Sequence, residues 1–160
     1  MEKIQRLIDN LNKLDNIKND VVVTVLTDKQ ENIVNQVRSQ LMDGVDGEGK
    51  GLRPTYLEDR FFKTQQQAIG YMNWKQKITP NLRRAPESPN LFINGFFHSL
   101  LFLKIEKEQA IVTASDSFGT EIVSKYGQVA FGVNNLFIQE EILPLLKGEV
   151  LKQFRTQLGI

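Results

Sequence analysis

A glycine-rich segment at residues 43–53, DGVDGEGKGLR, separates the first third of the chain from the rest and limits how the chain folds. It holds four of the eleven glycines of the protein. Glycine adopts positive φ angles readily and weakens any helix or strand that it interrupts. The segment therefore predicts a helix end at Gly44, followed by a long flexible loop.

The same segment contains the spacing of a phosphate-binding loop, with Gly44 followed after four residues by Gly49 and Lys50. Such a loop needs a preceding strand, a following helix and a Ser or Thr that coordinates Mg²⁺. Gly51 stands at the hydroxyl position, and the preceding residues have a helical pattern. The segment also does not match a calcium loop of the EF-hand type, because the twelfth residue counted from Asp43 is Pro54 rather than a glutamate. The sequence favours a solvated acidic loop.

Apolar residues at intervals of three and four predict helices on both sides of this loop. One stripe, at residues 4–14, predicts a helical arm over residues 1–20. A second begins with VVVTVL at residues 21–26 and continues to the glycines. After the loop, the T-x-x-E pattern of Thr55 and Glu58 is typical of a capping box and predicts a helix that runs to about Ala68.

The second half of the chain predicts a small sheet between helices. Residues 75–90 carry three prolines and are expected to form a long loop, followed by a short helix at residues 96–100. The segments LLFLKIE and AIVTAS predict a β-hairpin. A brief helix then ends at Gly127, and a final helix is expected from Asn135, its N-cap, with Pro144 kinking or splitting it.

Together these elements predict an α+β fold in a single domain of residues 1–160. We expect N-terminal helices, a central antiparallel β-hairpin or small sheet, and C-terminal helices packed on it. No internal repeat is present.

The composition excludes several classes of site. Hydrophobic residues make up 41% of the chain and charged residues 24%, which is ordinary for a globular protein. The absence of cysteine excludes disulfides, thiol nucleophiles and Cys-ligated zinc. With one histidine, a metal site would need carboxylate and carbonyl ligands. The net charge of +1 provides no general attraction to nucleic acid.

No targeting or membrane-spanning pattern is visible in the sequence. The first sixteen residues are charged and amphipathic, unlike a signal peptide. The most apolar segment, residues 91–105, is shorter than the about 20 residues needed to cross a bilayer. We therefore expect a soluble protein made in a cytoplasm, without a membrane partner.

One basic cluster with an aromatic neighbour suggests a nucleic-acid-binding accessory protein as an alternative function. It consists of Trp74, Lys75, Lys77, Arg83 and Arg84. Such side chains could contact phosphates and stack on bases. The same residues could dock on an acidic protein surface.

Candidate catalytic groups are few. His98 and Ser99 place a base beside a hydroxyl, but neighbouring residues of a helix point in different directions and no acid is available to orient the base. Carboxylate pairs such as Glu140 and Glu141 are better explained as solvated faces. A carboxylate-based, metal-dependent enzyme is the weaker alternative, and no catalytic, cofactor-binding or metal-binding residue is assigned.

The order of segments resembles that of phage tail-completion, or virion morphogenesis, proteins. The matching segments are QLMDGVDGEGKGL, TYLEDRFFK, LFINGFFHSLLF, the hairpin and KYGQVAFGVNN. Asn94 stands where the family usually has threonine before a glycine. Gly95, either Phe96 or Phe97, Ser99 and Leu100 fit the rest of that motif.

The resemblance implies a non-enzymatic structural subunit that forms a ring at a phage tail or head–tail junction. Its implied partners are further copies of itself and a tail-tube, connector or portal protein. It would be present in the bacterial cytoplasm during assembly and then in the virion, and no cofactor is implied. The expected assembly contacts are Trp74, Arg83, Arg84, Phe96 and Phe97.

Overall fold

The computed structural model describes residues 19–106, 109–115 and 117–158. The stripe at residues 4–14 lies outside the described residues. Helix α1, described over residues 19–28, leads through Lys29 into α2 (Gln30–Met42). The Lys29 amide donates to the carbonyl of Val25, and the Ile33 amide donates to the carbonyl of Lys29. Helical hydrogen bonding therefore continues across the junction, which confirms the helix predicted from VVVTVL.

The other elements follow in an α+β order, which confirms the predicted fold class. Strands β1 (Leu101–Ile105) and β2 (Ala110–Ala114) form an antiparallel hairpin, in which Leu101 lies opposite Ala114 and Ile105 lies opposite Ala110. The elements are α3 (Gln65–Ile78), α4 (Phe96–Ser99), β1 (Leu101–Ile105), β2 (Ala110–Ala114), α5 (Ser117–Tyr126), a 3-10 turn (Gln128–Phe131), α6 (Asn135–Phe137), a π-helical turn (Ile138–Ile142) and α7 (Leu143–Leu158).

The core forms where the apolar stripe of α2 covers one face of the hairpin. Side chains at alternate positions of β1, Leu101 and Leu103, are buried, whereas Phe102 between them is partly exposed on the opposite face. Alternation of this kind places one face of a strand against the helix. The buried cluster comprises Ile33, Val34, Val37, Leu41, Leu52, Leu101, Leu103, Val112, Ala130, Phe131 and Ile142.

A buried glutamine joins α2 to the start of the C-terminal helices. The Gln40 side chain is 5% exposed, and its Nε2 donates to the Gly132 carbonyl at 2.8 Å. Its Oε1 accepts from the amide of Asn134 at 3.0 Å. Both ends of the amide are thus satisfied, as a buried polar group requires.

The glycine-rich segment packs against this junction, although we expected a solvated loop. Gly47 is buried, and its amide donates to the Val129 carbonyl at 2.9 Å. The Asp46 carboxylate accepts from the amides of Glu48 and Lys50, both at 2.9 Å, and closes the turn. Only the tip of the loop is exposed. Gly44 has a φ of +71°, which confirms the predicted left-handed helix end.

The helix predicted from Thr55 to Ala68 is wrong. The Thr55 amide does donate to the Glu58 carboxylate at 2.9 Å, as in a capping box, but turns follow over residues 55–62. The helix instead starts at Gln65, where the Thr64 side chain accepts from the Gln67 amide. It continues through residue 78, so the predicted loop at residues 75–90 begins inside α3.

The C-terminal helix also differs from the prediction. Its N-cap is Asn134, whose side chain accepts from the Leu136 amide at 2.8 Å, and not Asn135. Pro144 does not split the helical run, which passes from the π-helical turn Ile138–Ile142 into α7 at Leu143. The predicted kink at Pro144 stays a prediction. A π turn shifts the hydrogen-bond register and so accommodates a residue that has no amide donor.

Gly47→Ala is expected to lower the free energy of unfolding by about 1–3 kcal/mol, since overpacking has this cost. The added Cβ would lie 2.5 Å from the Gly132 carbonyl carbon. Gly51→Ala is the matched control, because its Cβ would have no neighbour closer than the Ser88 hydroxyl at 3.7 Å, and a change below about 0.5 kcal/mol is expected. Urea denaturation of the two variants measures the difference, and equal effects would contradict the packing.

Candidate functional site

An aromatic cleft of about 540 Å³ opens between the turns at residues 55–62, α3, the segment at residues 89–97 and α5. Only a few polar side chains line it. The aromatic residues in its walls include Tyr56, Phe62, Tyr71, Phe97, Phe118 and Tyr126. Concave surfaces of this composition are typical binding sites.

The aromatic rings along one wall are in continuous contact. The ring centroids of Phe61 and Phe62, of Phe62 and Tyr71, and of Tyr71 and Trp74 are each 5.3 Å apart. Tyr56 approaches Tyr71 edge-on at 5.0 Å. These distances lie within the range of favourable aromatic pairs, so the wall is held in a defined shape.

The rim of the cleft is apolar and open to solvent. Phe61 is 79% exposed, Phe96 is 57% exposed and Phe118 is 52% exposed. Large apolar side chains that are exposed together around a concavity mark interaction surfaces. Ile93, 60% exposed, extends the same rim.

Local backbone geometry places the phenylalanines of the LFINGFF segment. Gly95 has a φ of +82° and precedes α4, while the Asn94 side chain accepts from the Phe96 amide at 3.1 Å. This sharp turn leaves Phe96 at the rim, while Phe97 packs against the core. Leu91, which lines the cleft, has a φ of +53°, a rare conformation for a residue with a branched side chain. Strained backbone of this kind is frequent at functional sites.

Two buried cations lie beside the cleft without a carboxylate partner. Lys75 lines the cleft with 1% of its surface exposed, and its Nζ has no hydrogen-bond partner in the described part of the chain. Arg84 is 3% exposed and donates from Nη1 to the Ser88 carbonyl at 2.6 Å. Its Nε and Nη2 have no partner among the described residues. Burial, together with the charge of Arg84, lowers the pKa of Lys75 to about 8.

The groups around Lys75 are neutral or basic. The Thr79 hydroxyl donates to the Lys75 carbonyl at 3.0 Å, and Asn90 Nδ2 donates to that hydroxyl at 3.2 Å. His98 is buried with its Nε2 3.2 Å from the Asn90 carbonyl, and burial lowers its pKa. Among the described residues that line the cleft, the one acidic side chain, Asp59, forms a salt bridge with Lys125. The region around Lys75 is thus positively charged.

The structure separates the residues expected to act together. Trp74 is 44% exposed, and the Arg83 side chain is also exposed, 3.8 Å from the Asp43 carboxylate. Lys75 and Arg84 are buried, so the predicted basic surface is divided, and only its exposed members could reach a phosphate. Of the other expected contacts, Phe96 is exposed but Phe97 packs against the core cluster.

The remaining motifs have structural roles. The Ser99 hydroxyl donates to the Phe96 carbonyl at 2.6 Å, whereas the buried His98 ring faces the Asn90 carbonyl through Nε2. Lys50, the lysine of the phosphate-loop spacing, forms a salt bridge of 2.6 Å with Glu48. Across the described ranges, no group of three or more acidic or histidine side chains is placed to hold a metal ion.

Sequence reasoning missed Lys75 as a buried group and the Phe61–Phe62 pair as a wall of the cleft. A signal for Lys75 was present, because Ala68, Lys75 and Thr79 recur at helical spacing on one face of α3. The loop assigned to residues 75–90 hid this pattern.

Comparison with protein-family models, with curated proteins and with solved structures finds no match to this chain. Among the helices that the structure describes, none combines the length and the apolar character needed to cross a bilayer. The cleft and its buried cations are therefore the observations on which a function can be argued.

Lys75→Met is expected to raise the free energy of unfolding at pH 7 by up to about 3 kcal/mol, because it removes an unpaired buried charge. The folded-state pKa of Lys75, about 8, lies below its ordinary value of 10.5. The unfolded chain therefore binds the proton more tightly between these values, and wild-type stability rises with pH across that window. The advantage of the variant should shrink from pH 8 to about 10.5.

Denaturation at pH 7 and pH 10 tests this, with Lys77→Met, an exposed lysine of the same helix, as the control. The comparison must be between variants, since burial raises the pKa of Tyr126 to about 12 and lowers the stability of every variant at high pH. If Lys75→Met exceeded the wild type in free energy of unfolding by the same amount at both pH values, the unpaired charge would be contradicted.

Proposed function

We propose that this chain is a non-enzymatic structural subunit of a phage tail or head–tail junction, which assembles into a ring. The observation that carries the proposal is the aromatic cleft with its exposed apolar rim. Apolar side chains exposed around the cleft are unfavourably hydrated, and covering them with another surface lowers the free energy.

Three of the five segments that carry the family resemblance lie around this cleft. The TYLEDRFFK segment provides the wall of Tyr56 and Phe62, and the LFINGFF segment provides Leu91 and Phe96. Tyr126, from the KYG segment, closes the side formed by α5. Residues of these three segments therefore belong both to the resemblance and to the cleft, which supports an assembly role for this surface.

A second copy of the chain is the occupant that we propose for the cleft. The C-terminal helical segment of the described chain exposes large apolar side chains away from the core, with Leu136 at 59% and Leu151 at 56%. Leu143 is also exposed, at 38%. A contact between the cleft of one subunit and this segment of the next joins two different surfaces. Such heterologous contacts close into rings when the rotation between subunits permits.

Phe96→Ser and Phe118→Ser are each expected to weaken self-association at least about tenfold, since buried aromatic anchors dominate interface energies. Leu82→Ser is the matched control, because Leu82 is fully exposed but does not line the cleft. Light scattering coupled to size exclusion, over a range of protein concentrations, measures the association.

A protein that remains monomeric at every concentration, alone and with isolated tail or portal components, would contradict the proposed function. Equal weakening by Leu82→Ser would place the contact elsewhere on the surface. Loss of folding is checked by the thermal unfolding of each variant.

A further inference from the structure

The proposed docking surface contains a chemical requirement of its own, an anion for Lys75. An ammonium group that is removed from water without a partner is strongly destabilised. Lys75 is 1% exposed and lines the cleft, and its Nζ has no hydrogen-bond partner among the described residues. Arg84 has two further unpartnered nitrogens and lies close enough to influence Lys75.

The described residues of the cleft do not provide that anion. Asp59 in its wall is already paired with Lys125, and Thr79 and His98, which lie near Lys75, are not acidic. A ligand that fills the cleft would therefore bind most tightly if it carried a carboxylate among apolar groups. The carboxylate would satisfy the buried cation, and the apolar groups would cover the aromatic walls.

The C-terminal helical segment offers this combination within a short run of residues. Glu140 lies in the π turn Ile138–Ile142, four residues after Leu136 and three before Leu143. All three are exposed. Glu140 forms no salt bridge with any residue that the structure describes. A carboxylate flanked in sequence by two exposed leucines is complementary to an aromatic cleft that has an unpaired lysine in its wall.

Resting on the proposed function, we infer that Glu140 of one subunit enters the cleft of the next and pairs with Lys75, whose buried Nζ turns toward the cleft when the contact forms. Leu136 and Leu143 of the same subunit cover the rim on either side of the carboxylate. The pair fixes the register of the contact, because a neighbour docked in another position leaves both charges unpaired.

A double-mutant cycle on the dissociation constant of self-association tests the pair. Glu140→Gln and Lys75→Met are each expected to raise the dissociation constant at least about tenfold. The dissociation constant of the double variant is expected to be no higher than that of the single variant that associates more weakly. Glu141→Gln is the matched control, because it removes the same charge from the adjacent exposed position. Glu140 is exposed, so Glu140→Gln is expected to leave the fold unchanged and tests the contact independently of Lys75→Met.

Phenylacetate, a small carboxylate with an aromatic ring, tests the Lys75 site independently of assembly. It is expected to raise the melting temperature of the wild-type protein but not of Lys75→Met. Its neutral counterpart 2-phenylethanol is expected to have little effect on either. Equal effects of the two compounds, or an unchanged response in Lys75→Met, would overturn the carboxylate site.

The results separate this inference from the proposed function. If Phe96→Ser weakens association while Glu140→Gln and Glu141→Gln leave it unchanged, the cleft is the interface and the charge pair is overturned. If no association occurs at all, the proposed function fails and Glu140 is excluded as the ligand. A response to phenylacetate that requires Lys75 would then still identify a carboxylate site.

Discussion

The architecture depends on the buried amide of Gln40. This side chain bonds to backbone groups on both sides of Val133, at Gly132 and Asn134, and so fastens the end of α2 to the start of the C-terminal helices. Because Gly47 also bonds to Val129 nearby, the glycine-rich loop is held in the same place. A lost amide partner inside a core costs more than an average hydrogen bond provides. The two halves of the chain therefore have one arrangement that satisfies this group.

The cleft follows from this arrangement and from the positions of its glycines and aromatic rings. The Asn81 side chain donates to the Met42 carbonyl at 3.0 Å and to the Asp43 carboxylate at 2.8 Å, which ties the segment after α3 to the end of α2. That segment carries Arg84 inward beneath the aromatic wall. The fold thus keeps the charges of Lys75 and Arg84 away from water. An anion that pairs with these side chains would stabilise the fold.

Much of the fold could be predicted because local pattern and tertiary packing agree. The stripe of α2, the alternation in β1 and the glycine ends of α2 and α5 all match the structure. Thr55 and Glu58 show where local pattern fails, because the capping hydrogen bond forms but Tyr56 and Phe62 pack against Tyr71 instead of continuing a helix. The burial of Lys75 is not expected from composition, which assigns a lysine to the surface, and the helical spacing of Ala68, Lys75 and Thr79 is its only local signal.

The π turn at Ile138–Ile142 sets the rotational phase of everything that follows it. Each residue advances a helix by about 100°, so the wider turn decides which side of α7 looks inward. With this phase, Ile142 reaches the main core, while Leu146 and Val150 pack on Val21 and Val25 of α1. Glu140 lies within the turn itself and is exposed. A single turn of unusual pitch therefore decides which apolar side chains of α7 close the interior.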